Sequence, residues 1–165
     1  LNALVERTLK LMNKYLQNNG VRANQVQGAV EAVDVNENGM RQVLLNLITN
    51  AVQAMPSGGE LRIETSSRLD GRVRLEISDT GVGIPAERLG RIFDPFFTTK
   101  APGEGTGLGL SMVHRVVNNA GGDIEVVSSP ESGTTFIIDL PVHQPSLMLD
   151  IDEAASRGAL NGDEP

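Results

Sequence analysis

The chain has no cysteine, which excludes disulfides, thiol catalysis and cysteine metal sites. It has no tryptophan, one tyrosine and four phenylalanines, so the core has to be built from Leu, Ile, Val, Ala and Met. Only two histidines are present, His114 and His143, too few for an ordinary zinc site. No apolar run approaches the roughly 18–20 residues of a membrane span, so direct membrane insertion is not expected. No signal peptide is visible, and a chain that opens on Leu1 reads as a fragment. Positive charge is scarce as well: 14 Lys and Arg stand against 21 acids, for a net charge of −7. No face reads as basic, which argues against nucleic acid as a partner. An anionic ligand would have to be held by a metal, by backbone N–H groups and by one or two cations.

What is present fits one domain of ordinary composition, with 39% hydrophobic residues in 165. Apolar residues at Leu1, Leu4, Val5, Leu9, Met12 and Leu16 recur at helical spacing over 1–18, and Asn19-Gly20 is a stop. The stretch 21–35 is weakly patterned and has room for one or two short strands. Residues 40–55 read as a helix ended by Pro56-Ser57-Gly58-Gly59. Residues 60–67 and 72–79 alternate apolar and polar about Asp70-Gly71, a hairpin signal. Side chains alternate with period two, so Asp79 falls on the apolar side with Val73, Leu75 and Ile77. A short helix is expected over 86–92 and a long loop over 94–107. A helix should run from about Leu108 to Asn119, with strands at 123–128 and 134–140. The row Arg62, Glu64, Arg74 and Glu76 predicts a solvated second sheet face. The class is α+β: a two-layer α/β sandwich whose mixed, mostly antiparallel sheet of about five strands is covered on one face by about three helices. The expected domain is 1–143. The remainder, 144–165, is an acidic tail or linker, with Leu147–Leu149 and Ile151 allowing a short docking helix.

Five short segments carry the chemistry: NLITNA (46–51), DTGVGI (79–84), FDPFFTTK (93–100), GEGTGLGLS (103–111) and GTTF (133–136). Gln42, Asn46, Asn50 and Gln53 form a polar stripe on one helix. It is either a wet face or a set of neutral oxygen donors of the kind magnesium shares with phosphates. Asp79, a carboxylate on the apolar side of its strand, either closes an ordinary turn or accepts from the exocyclic amine of adenine and rejects the carbonyl of guanine. Gly81 and Gly83 let the backbone turn and approach a ring closely. Gly105, Gly107 and Gly109 leave N–H groups uncovered where a helix begins, which suits an anion. The segment is not a Walker loop, because no Gly-Lys-Ser/Thr follows, and no strand precedes it as a dinucleotide fold requires. Phe93, Phe96 and Phe97 are expected to anchor the base of this loop on the core. Lys100, the only lysine beyond position 14, is either a phosphate contact or a solvated loop lysine. Arg91 is a weaker candidate, and Thr134 should point inward with Phe136.

In this order and spacing the five segments resemble the N, G1, F, G2 and G3 boxes of the catalytic domain of sensor histidine kinases. The resemblance covers 1–143 and implies ATP and magnesium as ligands. It implies a nucleotide site drawn from Asn46, Asn50, Gln53, Asp79, Gly81, Gly83, Ile84, Phe93, Lys100, Gly105, Thr106, Gly107, Leu108, Gly109 and Thr134. Asn50 would be the magnesium ligand, with Asn46 one turn away toward the same site. Asn50 and Lys100 would be the catalytic residues. The phosphoacceptor histidine is not in this chain. His114 and His143 do not stand in that motif and read as structural or surface residues. The implied partners are therefore a separate dimerisation/phosphoacceptor domain and a downstream response regulator. The implied location is cytoplasmic, whether or not the parent is membrane-anchored. Related ATPases of the gyrase and chaperone type place a general-base Glu where this chain has Asn46, and an amide cannot take a proton from water. Gln53, where related kinases often have Lys, and the FFTTK spelling resemble the nitrogen-regulation-like branch. A nucleotide-sensing pseudokinase and an anti-sigma-type serine kinase are the alternative readings.

Overall fold

The computed structural model describes residues 1–99 and 105–143; Lys100 and the acidic tail lie outside them. The elements run α1 (Asn2–Asn18), β1 (Val21–Gln27), α2 (Glu37–Ala54), β2 (Gly59–Ser67), β3 (Arg72–Asp79), α3 (Ala86–Leu89), α4 (Gly109–Asn119), β4 (Asp123–Ser128) and β5 (Thr134–Pro141). The sheet order is β1-β2-β3-β5-β4. Strands β1 and β2 are parallel, and every other pair is antiparallel. The sheet is thus mixed and mostly antiparallel, as its alternating segments predict. The weakly patterned stretch yields β1 and an isolated bridge from Val33 to Val142.

Alternation decides which sheet face is covered. Leu61, Ile63, Val73, Leu75, Ile77, Phe136, Ile138 and Leu140 all point to one side and are buried there. Helix α2 supplies most of the opposing surface, through Met40, Val43, Leu44, Leu47, Ile48, Ala51 and Val52. Helix α1 adds Leu4, Val5, Met12 and Leu16, and α4 adds Val113 and Val117. Helix α2 begins three residues earlier than its apolar pattern suggests. The Asn36 side chain caps it by accepting from the Gly39 N–H at 2.8 Å. Among the described residues no helix is long and apolar enough to cross a membrane.

The second sheet face is more than a wetted surface. Arg74 donates twice to its register partner Asp139, at 2.8 and 2.7 Å. These bonds hold the Asp139 carboxyl below its ordinary pKa. Glu64 and Glu76 face each other directly across β2 and β3, a repulsive placement that Arg62 and Arg74 offset by pairing with one glutamate each.

Candidate functional site

The helices leave one end of the sheet uncovered. A cavity of about 550 Å³ opens there between α2, the ends of β3 and β5, α3 and the start of α4. Its lining includes Asn46, Asn50 and Gln53 from α2, Asp79 from β3, Gly83 and Ile84 from the following loop, and Thr134 from β5. Gly105, Thr106, Gly107 and Gly109 complete it opposite α2. Residues as far apart in sequence as Asn46 and Thr134 therefore meet around one space.

Asp79 forms the floor. It is 9% exposed and lies opposite Leu61 on β2 and Thr134 on β5. Its Oδ1 accepts from the backbone N–H of Gly81 at 2.8 Å and of Thr134 at 3.3 Å. Its Oδ2 has no partner among the described residues and is the atom left for a ligand. Burial pushes the Asp79 carboxyl above its ordinary pKa, while the two N–H groups pull it the other way. Gly81 does not line the cavity but permits this geometry. A Cβ there would stand 2.6 Å from Ala54 O and 2.8 Å from Asp79 Oδ1.

The loop after β3 is tied down at three points. Val82 N–H donates to Ala54 O at the end of α2, at 3.0 Å. Glu131 N–H donates to Val82 O at 2.9 Å. Ile84 N–H donates to Ser128 Oγ at 2.8 Å. Helix α2 thus carries both Asn50 and the anchor of the loop beside Asp79.

On the stripe, Asn46 is engaged on both sides of its amide. Its Oδ1 accepts from Gln42 and its Nδ2 donates to Gly109 O, each at 3.2 Å. It latches the start of α4 onto α2 instead of facing the cavity as a free ligand. Asn50 makes no such bond among the described residues, and its side-chain amide is available to the cavity. Helix α4 has no side-chain cap at its N-terminus, so its first N–H groups and its positive dipole end stay open. Gly107 sits at φ +65 with its carbonyl accepting from Phe96 N–H at 2.9 Å, and a Cβ there would meet the Phe96 backbone at 2.4 Å.

Besides Gly81, three expected positions fall elsewhere. Phe93 is outside the lining; it packs on the core, with its ring 5.3 Å from that of His114. Leu108 precedes α4 with a 44% exposed side chain and is not in the lining either. The Phe96 ring does not anchor the loop on the core. Its backbone is left-handed at φ 66 and its side chain is 74% exposed, whereas Phe97 lines the cavity under the Arg91 guanidinium. Arg91 also pairs with Asp94, at 3.5 Å. The motif reading missed Arg88, an exposed cation in the lining, and Ser128 beneath Ile84; both lie outside the five segments. The position of Ser128 on the inward parity of β4, after Ile124 and Val126, was the available signal.

A half-open cavity with a buried carboxylate at one end and a helix N-terminus at the other defines a nucleotide-binding α/β sandwich. The family described as "Histidine kinase-, DNA gyrase B-, and HSP90-like ATPase" matches residues 35–144. The chain belongs to that family, as a domain of the kind found in sensor histidine kinases. It is 42% identical over 148 residues to the signal transduction histidine-protein kinase AtoS of Escherichia coli K12, covering 87% of this chain and 23% of AtoS. The chain therefore spans about a quarter of the length of that relative. The catalytic domain of histidine kinase ThkA, solved free of nucleotide, superposes with a TM-score of 0.74 at 30% identity, over 86% of this chain and 91% of that one. Full-length ShkA in complex with AMPPNP superposes at 0.78 with 28% identity, over 87% of this chain and 30% of that one.

Proposed function

We propose that this domain binds Mg-ATP and presents its γ-phosphate to a histidine on a separate phosphoacceptor domain, for onward transfer to a response regulator. The observation that carries the reading is the joining, in one cavity, of the Asp79 floor, Asn50 and the uncapped start of α4. Asp79 Oδ2 accepts from the adenine amine, the open N–H groups of α4 receive phosphate oxygens, and Asn50 faces the phosphates from α2. The residues fit magnesium as a passenger of ATP. Among the described residues no group of three or more His, Cys, Asp or Glu could hold a metal ion, so the ion has to bring phosphate and water oxygens with it. Bound there through the Asn50 carbonyl, magnesium would neutralise phosphate charge. Phosphoryl transfer is largely positioning and charge neutralisation, which this cavity supplies without a base. The engagement of Asn46 with Gln42 and Gly109 supports a structural part for the position that carries Glu in the related ATPases.

Asn50→Ala tests the reading. The variant should fold and bind ATP without magnesium as the wild type does. It should lose the gain that magnesium gives, and with it labelling of an added phosphoacceptor domain. Labelling at the wild-type rate would overturn the assignment.

A pH titration gives a second check. The ionised Asp79 carboxylate is the form that accepts from the amine, and its folded pKa is raised. Acidification through that range should weaken ATP binding. The apo domain behaves oppositely. A raised folded pKa means that the native state holds the proton more tightly than the unfolded chain, so the burial penalty on Asp79 is relieved as pH falls. The difference in Tm between ATP-bound and free protein should shrink on acidification, read by thermal melts across pH.

A further inference from the structure

Asp79, Thr134 and Ser128 stand in register at the ends of three neighbouring strands, β3, β5 and β4. All three point to the core side of the sheet, and the hydrogen bonds among them fix where the hydroxyl protons lie. Ser128 Oγ accepts from Ile84 N–H at 2.8 Å and donates to the Gly133 carbonyl at 2.8 Å. A carbonyl can only accept, so the single Ser128 proton is committed to it. The remaining contact, Ser128 Oγ to Thr134 Oγ1 at 2.9 Å, must then use the Thr134 proton. Ser128 is saturated, with one bond donated and two accepted. Thr134, 5% exposed and in the cavity lining, is left with lone pairs alone to offer a ligand. Its own N–H is already given to Asp79 Oδ1.

We propose that Ser128 is a specificity-determining positioning residue: by taking the Thr134 proton it leaves Asp79 Oδ2 and Thr134 Oγ1 as two acceptors for the two N–H bonds of an amine at position six of a purine, with no donor for a carbonyl there. The inference deepens the nucleotide reading above and rests on it. Asp79 supplies one acceptor whatever its neighbours do, and Ser128 decides the polarity of the second. Without the Ser128 hydroxyl, the Thr134 proton is free to rotate toward the ligand and to donate to a carbonyl base.

The test compares affinities for ATP and ITP by calorimetry, in the full chain. Wild type should favour ATP. Ser128→Ala should lower the ATP/ITP ratio by about fivefold, the worth of one neutral hydrogen bond. Ser128→Thr, which keeps the hydroxyl, should restore it. Thr134→Val should lower the ratio similarly, and adding Ser128→Ala to it should change nothing further, because the two act through one proton. A purely structural role for Ser128 would lower both affinities together and leave the ratio unmoved. Should Ser128→Ala not fold, the nearly isosteric Ser128→Cys, a weak donor and acceptor, serves in its place. An unchanged ratio in either folded variant overturns the proposal. Failure of the nucleotide reading itself looks different: wild type would bind neither nucleotide.

Discussion

Asp79→Asn should melt at or above the wild-type temperature and yet bind ATP about a hundredfold more weakly. The two effects part because the side chain serves two masters. In the free domain a buried carboxylate is a liability, and its raised pKa records the penalty. The asparagine Oδ1 can still accept from Gly81 and Thr134, so the local fold keeps both bonds. The change falls on the second atom. Where Oδ2 offered an acceptor to the adenine amine, an NH₂ now meets another donor. Losing a charge-assisted bond and setting donor against donor costs about 2–4 kcal/mol. A thermal melt and a calorimetric titration on the same samples read both signs. A marked fall in the apo Tm would show instead that Asp79 is needed for folding.

Gly83→Ala should be, with Gly133→Ala, one of the two most damaging methyl additions at the described glycines. Gly83 sits at φ +72, and a Cβ on it would lie 1.9 Å from Ser129 O. That neighbour is backbone, so no side chain can swing away. Relief requires the loop to leave the β4–β5 turn, which breaks the Glu131–Val82 and Ile84–Ser128 bonds. A loss of about 3 kcal/mol is expected from strain and clash together. For a domain of this size that is roughly 10 °C in Tm. ATP binding should fall with it. Gly90→Ala is the control, since φ there is −67 and nothing lies within 4 Å of an added Cβ. A Gly83→Ala protein that melts within a degree or two of that control would refute the packing described for this loop.

The inward position of Asp79 was legible because strand alternation is local: three apolar neighbours at period two fix which way the fourth residue points. The same rule places Thr134. Helix α2 was legible in its apolar body but not at its start, because Glu37, Asn38 and Gly39 carry no periodicity and the cap at Asn36 is a single side chain. The parallel pairing of β1 could not be read, since the strand buries only Val21 and its partner is fixed by the path of α2 over the sheet. Phe96 was misplaced for a backbone reason. Composition suggests that a scarce aromatic is buried, and the left-handed turn that swings it outward leaves no mark on composition. Arg88 belongs to the site through folding alone, one turn of helix away from any motif, and Ser128, one strand end away, is marked only by its inward parity on β4.

The β2–β3 hairpin turns at Leu69-Asp70-Gly71, with Leu69 fully exposed, and β3 runs from that turn to the cavity floor. Eight residues of strand separate the two ends by about 25 Å. Because the chain contains no cysteine, Leu69→Cys would create its sole thiol. A dye or a surface linker attached there would sit a strand's length behind the cavity, leaving the mouth free while the molecule is watched or held from its far end.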